Sequence, residues 1–171
     1  MNLLIFSDSH GNLRAMEKAV ALQAALPLAQ RPDFILFLGD GLADFNRLDI
    51  PTGVSSLAVS GNCDGFFIYS EPELRVPVLA DKKIVMTHGH RFSVKGGLER
   101  AVAFAVAEKA DILLFGHTHV PFAEQYEAGS VVCGVCLPKP LLLFNPGSIR
   151  EGSFGSVSIT EKGILASCGR I

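Results

Sequence analysis

All five histidines of the chain fall in three short segments, Asp8-Ser9-His10, Thr87-His88-Gly89-His90 and Gly116-His117-Thr118-His119. Two further segments, Gly39-Asp40 and Gly61-Asn62-Cys63-Asp64, add carboxylates, a carboxamide and a thiol. Imidazoles mixed with carboxylates suit manganese, iron, nickel or zinc better than calcium. Asp8 and His10 stand at i and i+2, so an extended backbone would send both side chains the same way, and His117 and His119 repeat that spacing. Asp8, His10, Asp40, Asn62, His88, His117 and His119 are too many ligands for one closed tetrahedral site. Two ions sharing a carboxylate would accommodate them. A lone histidine is more often a hydrogen-bonded structural residue, and a lone Asp or Asn after glycine an ordinary turn residue. The joint order of the five segments outweighs that blander reading.

Something must bring these segments together, and each follows a short apolar run: Leu3–Phe6, Phe34–Leu38, Leu57–Val59, Ile84–Met86 and Ile112–Phe115. Runs of this length without alternation predict strands covered on both faces. In open α/β sheets the carboxyl ends of the strands converge on a crevice, which would gather residues distant in sequence. Asn12 is placed to cap a helix with Leu13, Met16 and Val20 on one face, closed by Pro27; Leu98, Val102, Ala105 and Val106 predict a second helix. After His119 the texture changes. Short strand candidates at Phe122–Tyr126, Val131–Val135, Leu141–Phe144 and Ser156–Ile159, separated by glycine and proline, predict β-hairpins. With 171 residues and no linker or repeat, the two textures are expected to form one domain, residues 1–171, with two packed sheets and helices outside.

Composition narrows the function classes. A net charge of −2, with Lys82-Lys83 as the densest basic spot, argues against general nucleic-acid binding. No apolar stretch is long enough to predict a membrane span, and Met1 leads directly into the first strand without a signal-like segment, so a cytoplasmic location is expected. Cys63, Cys133, Cys136 and Cys168 do not form a disulfide framework, and Cys133-Gly134-Val135-Cys136 is expected to be packing. Phe66-Phe67 are expected to be core or the wall of a pocket, and Gly96-Gly97 a turn.

The ordered motifs D-x-H, G-D, G-N-x-D, T-H-G-H and G-H-T-H resemble those of the calcineurin-like metallophosphoesterases, in particular the small bacterial and archaeal phosphodiesterase branch. Asn145-Pro146-Gly147-Ser148 extends the likeness to about Ile149. The resemblance implies an α/β fold, a four-layer αββα sandwich of two mixed β-sheets flanked by helices. It implies two divalent ions, manganese first, with nickel, iron, zinc or magnesium as alternatives. Asp8, His10, Asp40 and His119 would hold one ion, and Asp40, Asn62, His88 and His117 the other, with Asp40 bridging. The activity implied is hydrolysis of a small phosphodiester through in-line attack by a hydroxide bridging the ions. Asn62 would both ligate and orient, and His90 would contact a phosphate oxygen or support the ligands. Where many relatives place a histidine after the motif asparagine as proton donor, this chain has Cys63, followed by Asp64. A thiol is a weak acid catalyst, so activated or aryl diesters are the expected substrates. A monoesterase of the same mechanism and a non-catalytic interaction scaffold, like the retromer subunit of this superfamily, are the alternatives; self-association stays open.

Overall fold

The computed structural model describes residues 1–65 and 71–171; the expectation for Phe66-Phe67 lies outside them. In the first half, β1 (Asn2–Phe6), α1 (Leu13–Ala24), β2 (Phe34–Phe37), α2 (Leu42–Phe45) and β3 (Ser55–Ala58) follow one another. Then come β4 (Leu74–Arg75), β5 (Val78–Leu79), β6 (Lys82–Thr87), α3 (Glu99–Ala107) and β7 (Ile112–Phe115). The remainder is strand: β8 (Phe122–Tyr126), β9 (Val131–Val132), β10 (Val135–Cys136), β11 (Leu141–Asn145), β12 (Ser153–Thr160) and β13 (Gly163–Arg170).

Two mixed sheets result. The first runs β13-β12-β1-β2-β3, with β1, β2 and β3 parallel, β12 antiparallel to β1, and β13 antiparallel to β12. The second runs β4-β6-β7-β11-β8, with β6, β7 and β11 parallel, β5 also paired to β6, and β4 and β8 antiparallel at the edges.

Side-chain alternation explains why the strands look uniformly apolar. Leu3 and Ile5 of β1 and Leu36 of β2 meet Ile84, Met86, Ile112, Leu114 and Phe144 between the sheets. Leu4, Phe6, Ile35 and Phe37 point the other way, onto Met16, Ala19 and Val20 of α1 and Phe45 of α2. Val85, Leu113 and Leu143 repeat the pattern against Ala101, Val102 and Ala105 of α3. Helix, sheet, sheet and helix thus stack in four layers, the sandwich that the motifs implied. Each fully buried Leu or Ile contributes about 1.5–3 kcal/mol, so this triple core fixes where the strands end.

Local differences from expectation have physical causes. Asn12 caps α1 by accepting the Ala15 N–H, but the helix ends at Ala24, before Pro27 acts, in a stretch whose side chains bury nothing. The predicted strand Val131–Val135 folds back on itself, because Cys133 and Gly134 both take positive φ and form a two-residue turn between β9 and β10. Cys133 and Cys136 are exposed free thiols, so they are not packing residues. β11 is not simply a hairpin strand; it inserts between β7 and β8 and lies parallel to β7.

Candidate metal centre

The loops after β1, β2, β6 and β7 carry the ligand-type residues to one edge of the sandwich. Asp8, His10, Asp40, His117 and His119 all have positive φ, between 42° and 68°. Non-glycine residues in this region are held at a cost of about 1–3 kcal/mol each, and such strain clusters where side chains must be aimed. Backbone hydrogen bonds fix the bends, with Asp8 N donating to Gly39 O at 2.9 Å and His10 N to Asp40 O at 3.2 Å.

Two groups form. Ligand atoms of Asp8, His10 and His119 lie within 4.8 Å of one another, and so do those of Asp40, His88 and His117. In the first, His119 Nε2 is 3.1 Å from Asp8 Oδ1 and His10 Nε2 is 3.4 Å from His119 Nε2. In the second, His88 Nε2 is 3.3 Å from Asp40 Oδ2 and 3.0 Å from His117 Nδ1. The groups adjoin, since His10 Nε2 is 3.9 Å from Asp40 Oδ2 and His88 Nε2 is 3.9 Å from Asp8 Oδ1.

Whether this donor set fits cations can be tested on the atoms themselves. Asp8 is fully buried, its Oδ2 accepts from Ser7 Oγ and the His117 N–H, and its Oδ1 receives no hydrogen bond from any of the described residues. A buried carboxylate oxygen without a donor is expensive unless a cation faces it. His88 Nδ1 donates to Leu38 O at 2.8 Å, which leaves Nε2 to present a lone pair toward Asp40 and His117. These features fit divalent cations.

The electrostatics agree. Burial alone would raise the Asp40 carboxyl, but the hydrogen bond and charge of His88 and the donors on Cys63 outweigh it and hold it well below the usual range. Burial likewise works against a charged His88, yet Asp40, Asp8 and the Leu38 carbonyl push its pKa up. His117 is pushed down to about 4, first by burial and then by the charges of His88 and Lys95, so its ring is neutral and ready to ligate at neutral pH.

The G-N-C-D segment plays a divided part. Asp64 is buried and accepts the N–H groups of Asp40, Gly41, Leu42 and Gly61 at 2.7–2.8 Å. Both its oxygens are occupied, so it clamps the Asp40 loop to the Gly61 loop and does not face the ligand atoms. The loops touch so closely that a Cβ on Gly61 would collide with Asp40 Oδ1. Cys63 N donates to Asp40 Oδ1 at 2.8 Å, and its thiol is pushed up to about 11 by partial withdrawal from water and then by Asp40, Asp64 and Asp8. Asn62 is exposed and its Nδ2 donates to Cys63 Sγ at 3.2 Å; its side chain is turned to the thiol. His90 lies behind the pair, its ring 5.5 Å from that of His88, with Nε2 3.4 Å from Glu73 Oε1.

Two of the supporting residues, Asp44 and Glu73, carried no readable signal. Asp44 accepts from Ser9 Oγ and the Gly11 N–H and so braces the Asp8 loop from α2. Glu73, just ahead of β4, pairs with both His90 and Arg91. Asn145 is buried, with Nδ2 on Gly116 O and Thr118 Oγ1, and Ser148 Oγ donates to Asp8 O. The motif Asn145-Pro146-Gly147-Ser148, legible only as a likeness, is therefore the strap that joins the first ligand loop to the last.

Ligand loops from two facing sheets, with one carboxylate between two imidazole groups, are an arrangement suited to phosphoester cleavage. Sequence comparison gives the class its name: residues 1–161 match the calcineurin-like phosphoesterase superfamily domain, and the chain belongs to that superfamily. Within it, the chain is similar to the phosphodiesterase YfcE of Escherichia coli, 31% identical over 97% of this chain and 90% of YfcE. A crystal structure from Streptococcus pneumoniae, described as a predicted phosphoesterase, superposes with TM-score 0.68 at 26% identity, covering 99% of this chain and 88% of that one. Zinc-complexed Vps29 from Entamoeba histolytica shares the fold, with TM-score 0.65 and 19% identity over 100% of this chain and 98% of that one.

Proposed function

We propose that the protein is a phosphodiesterase that depends on two divalent ions, one in each ligand group, with Asp40 between them and manganese as the first candidate. The observation that carries this reading is the convergence of the two groups around Asp8 Oδ1, a buried acceptor without a donor among the described residues. The likeness to YfcE supports the choice of diesters. When bound, such ions acidify water and offset the charge that builds on the phosphoryl oxygens.

The chain's own residues do the positioning. Asp40 presents Oδ2 toward both groups while Cys63 N holds its Oδ1, and Asp64 fixes the loop that carries it. His88 is locked in one tautomer by Leu38, and His90, steadied by Glu73, is assigned to contact a phosphoryl oxygen or to support the ligands. Asn62 completes the second group by turning its carboxamide from Cys63. With a weakly acidic thiol where many relatives place a histidine, alkoxide leaving groups gain little help, so aryl diesters are the preferred substrates.

The test is hydrolysis of bis-p-nitrophenyl phosphate by metal-stripped protein to which manganese, nickel, zinc, magnesium or no ion is restored. Release that depends on the ion supports the proposal. Cleavage of p-nitrophenyl phosphate alone replaces it with a monoesterase, and silence on both substrates with a scaffold.

A further inference from the structure

Cys63 stands at the ligand cluster without belonging to either three-residue group. Its Sγ, a His10 ring nitrogen and an Asp40 carboxylate oxygen all lie within 4.8 Å of one another. Two bonds hold it there: its own N–H donates to Asp40 Oδ1 at 2.8 Å, and Asn62 Nδ2 donates to the sulfur at 3.2 Å. Asp8 Oδ1, buried and without a hydrogen bond from the described residues, adjoins the same space, 3.7 Å from His10 Nε2. The thiol itself is exposed and free.

We propose that Cys63 is a conditional metal ligand: thiophilic divalent ions such as cadmium, zinc and cobalt draw its Sγ into coordination beside His10 and Asp40, whereas manganese and magnesium leave it outside. This rests on the metal-centre reading above. The reason is ligand softness, since thiolate sulfur favours the first set of ions and oxygen donors suit the second. On ligation the S–H proton passes to solvent, a sulfur lone pair forms the S–metal bond, and no electron is transferred. A sulfur added to nitrogen and carboxylate donors occupies a position that substrate or water would otherwise take. The same residue therefore makes a thiophilic ion bind more tightly and work less well than manganese.

The experiment is a cobalt titration of metal-stripped wild-type protein and Cys63→Ser, followed by absorption. Visible d–d bands report cobalt bound in either protein, while a near-ultraviolet sulfur-to-cobalt band reports a thiolate ligand. We expect visible bands in both and the near-ultraviolet band in wild type alone. Cadmium affinity, measured by competition calorimetry, is expected to fall about tenfold in Cys63→Ser, with manganese affinity moving less than about twofold. Visible bands without a sulfur band, a sulfur band that survives Cys63→Ser, or unchanged cadmium affinity would each overturn the ligand role and leave the metal centre standing. Loss of visible bands in both proteins would overturn the metal centre and this inference together.

Discussion

The two ligand groups use the same residue types but are built differently. His88 is 0% exposed and Asp40 3%, and the ring of His88 is pinned by a backbone carbonyl from the neighbouring sheet. His10 and His119 are 21% and 35% exposed, and the outer nitrogen of His119 faces Glu151, itself 61% exposed, at 3.9 Å. One group is arranged by the protein before an ion arrives; the other keeps one buried anchor, Asp8, and leaves its histidines at the rim. Preorganised ligands spend less free energy on ordering, so the buried group should hold its ion more tightly and release it more slowly.

The largest effect should come from Asp40→Asn, which weakens both groups at once: turnover of an aryl diester is expected to fall about a thousandfold or more with the fold retained by circular dichroism. A loss no greater than that of Cys63→Ser would break the bridging assignment. Asp64→Ala removes the acceptor of four backbone amides. It should destabilise the protein by about 2–4 kcal/mol in urea unfolding, and an effect under about 0.5 kcal/mol would show that water replaces the clamp.

The comparison is sharpest in the pair His88→Ala and His119→Ala. In metal-stripped protein the first should cost about 1–3 kcal/mol, since it opens a cavity and strips Leu38 O of its donor, and the second almost nothing. Equal thermal shifts would mean the two groups do not differ in preorganisation. A smaller effect concerns pH. His88 has a raised pKa, so its pairing with Asp40 stabilises metal-free protein fully below the unfolded histidine pKa and fades as pH rises through the folded value. The same proton must leave when an ion binds, so metal affinity at the buried group should climb with pH by up to about tenfold per unit below that raised pKa. A flat calorimetric profile would contradict this.

Much of the scaffold was legible because both faces of its central strands are covered. The apolar runs at Leu3, Phe34, Ile84 and Ile112 mark β1, β2, β6 and β7, and the polar segments after them mark the ligand loops. What escaped had no periodicity to show. β4 and β5 are two residues each, and β13, Gly163–Arg170, is an edge rich in small residues whose apolar side, Ile164 and Ala166, is short and only partly buried. Residue types identified Asp64 as chemistry-bearing, but only coordinates show that its partners are backbone amides, which no sequence displays. Glu73 and Asp44 act across the fold from elements unrelated to any motif, so nothing local could have marked them.

The place of β1 bears on how the centre is made. It lies between β2 and β12, and the segment leading into β12 holds the first ligand loop through Ser148 Oγ on Asp8 O and Ile149 N on Ser7 O. The Asp8 loop precedes its brace by 140 positions in the chain, so during synthesis it is completed only after that later segment has emerged. A nascent chain therefore displays Asp8 and His10 before their brace exists, and the loop is closed only once translation has passed into β12.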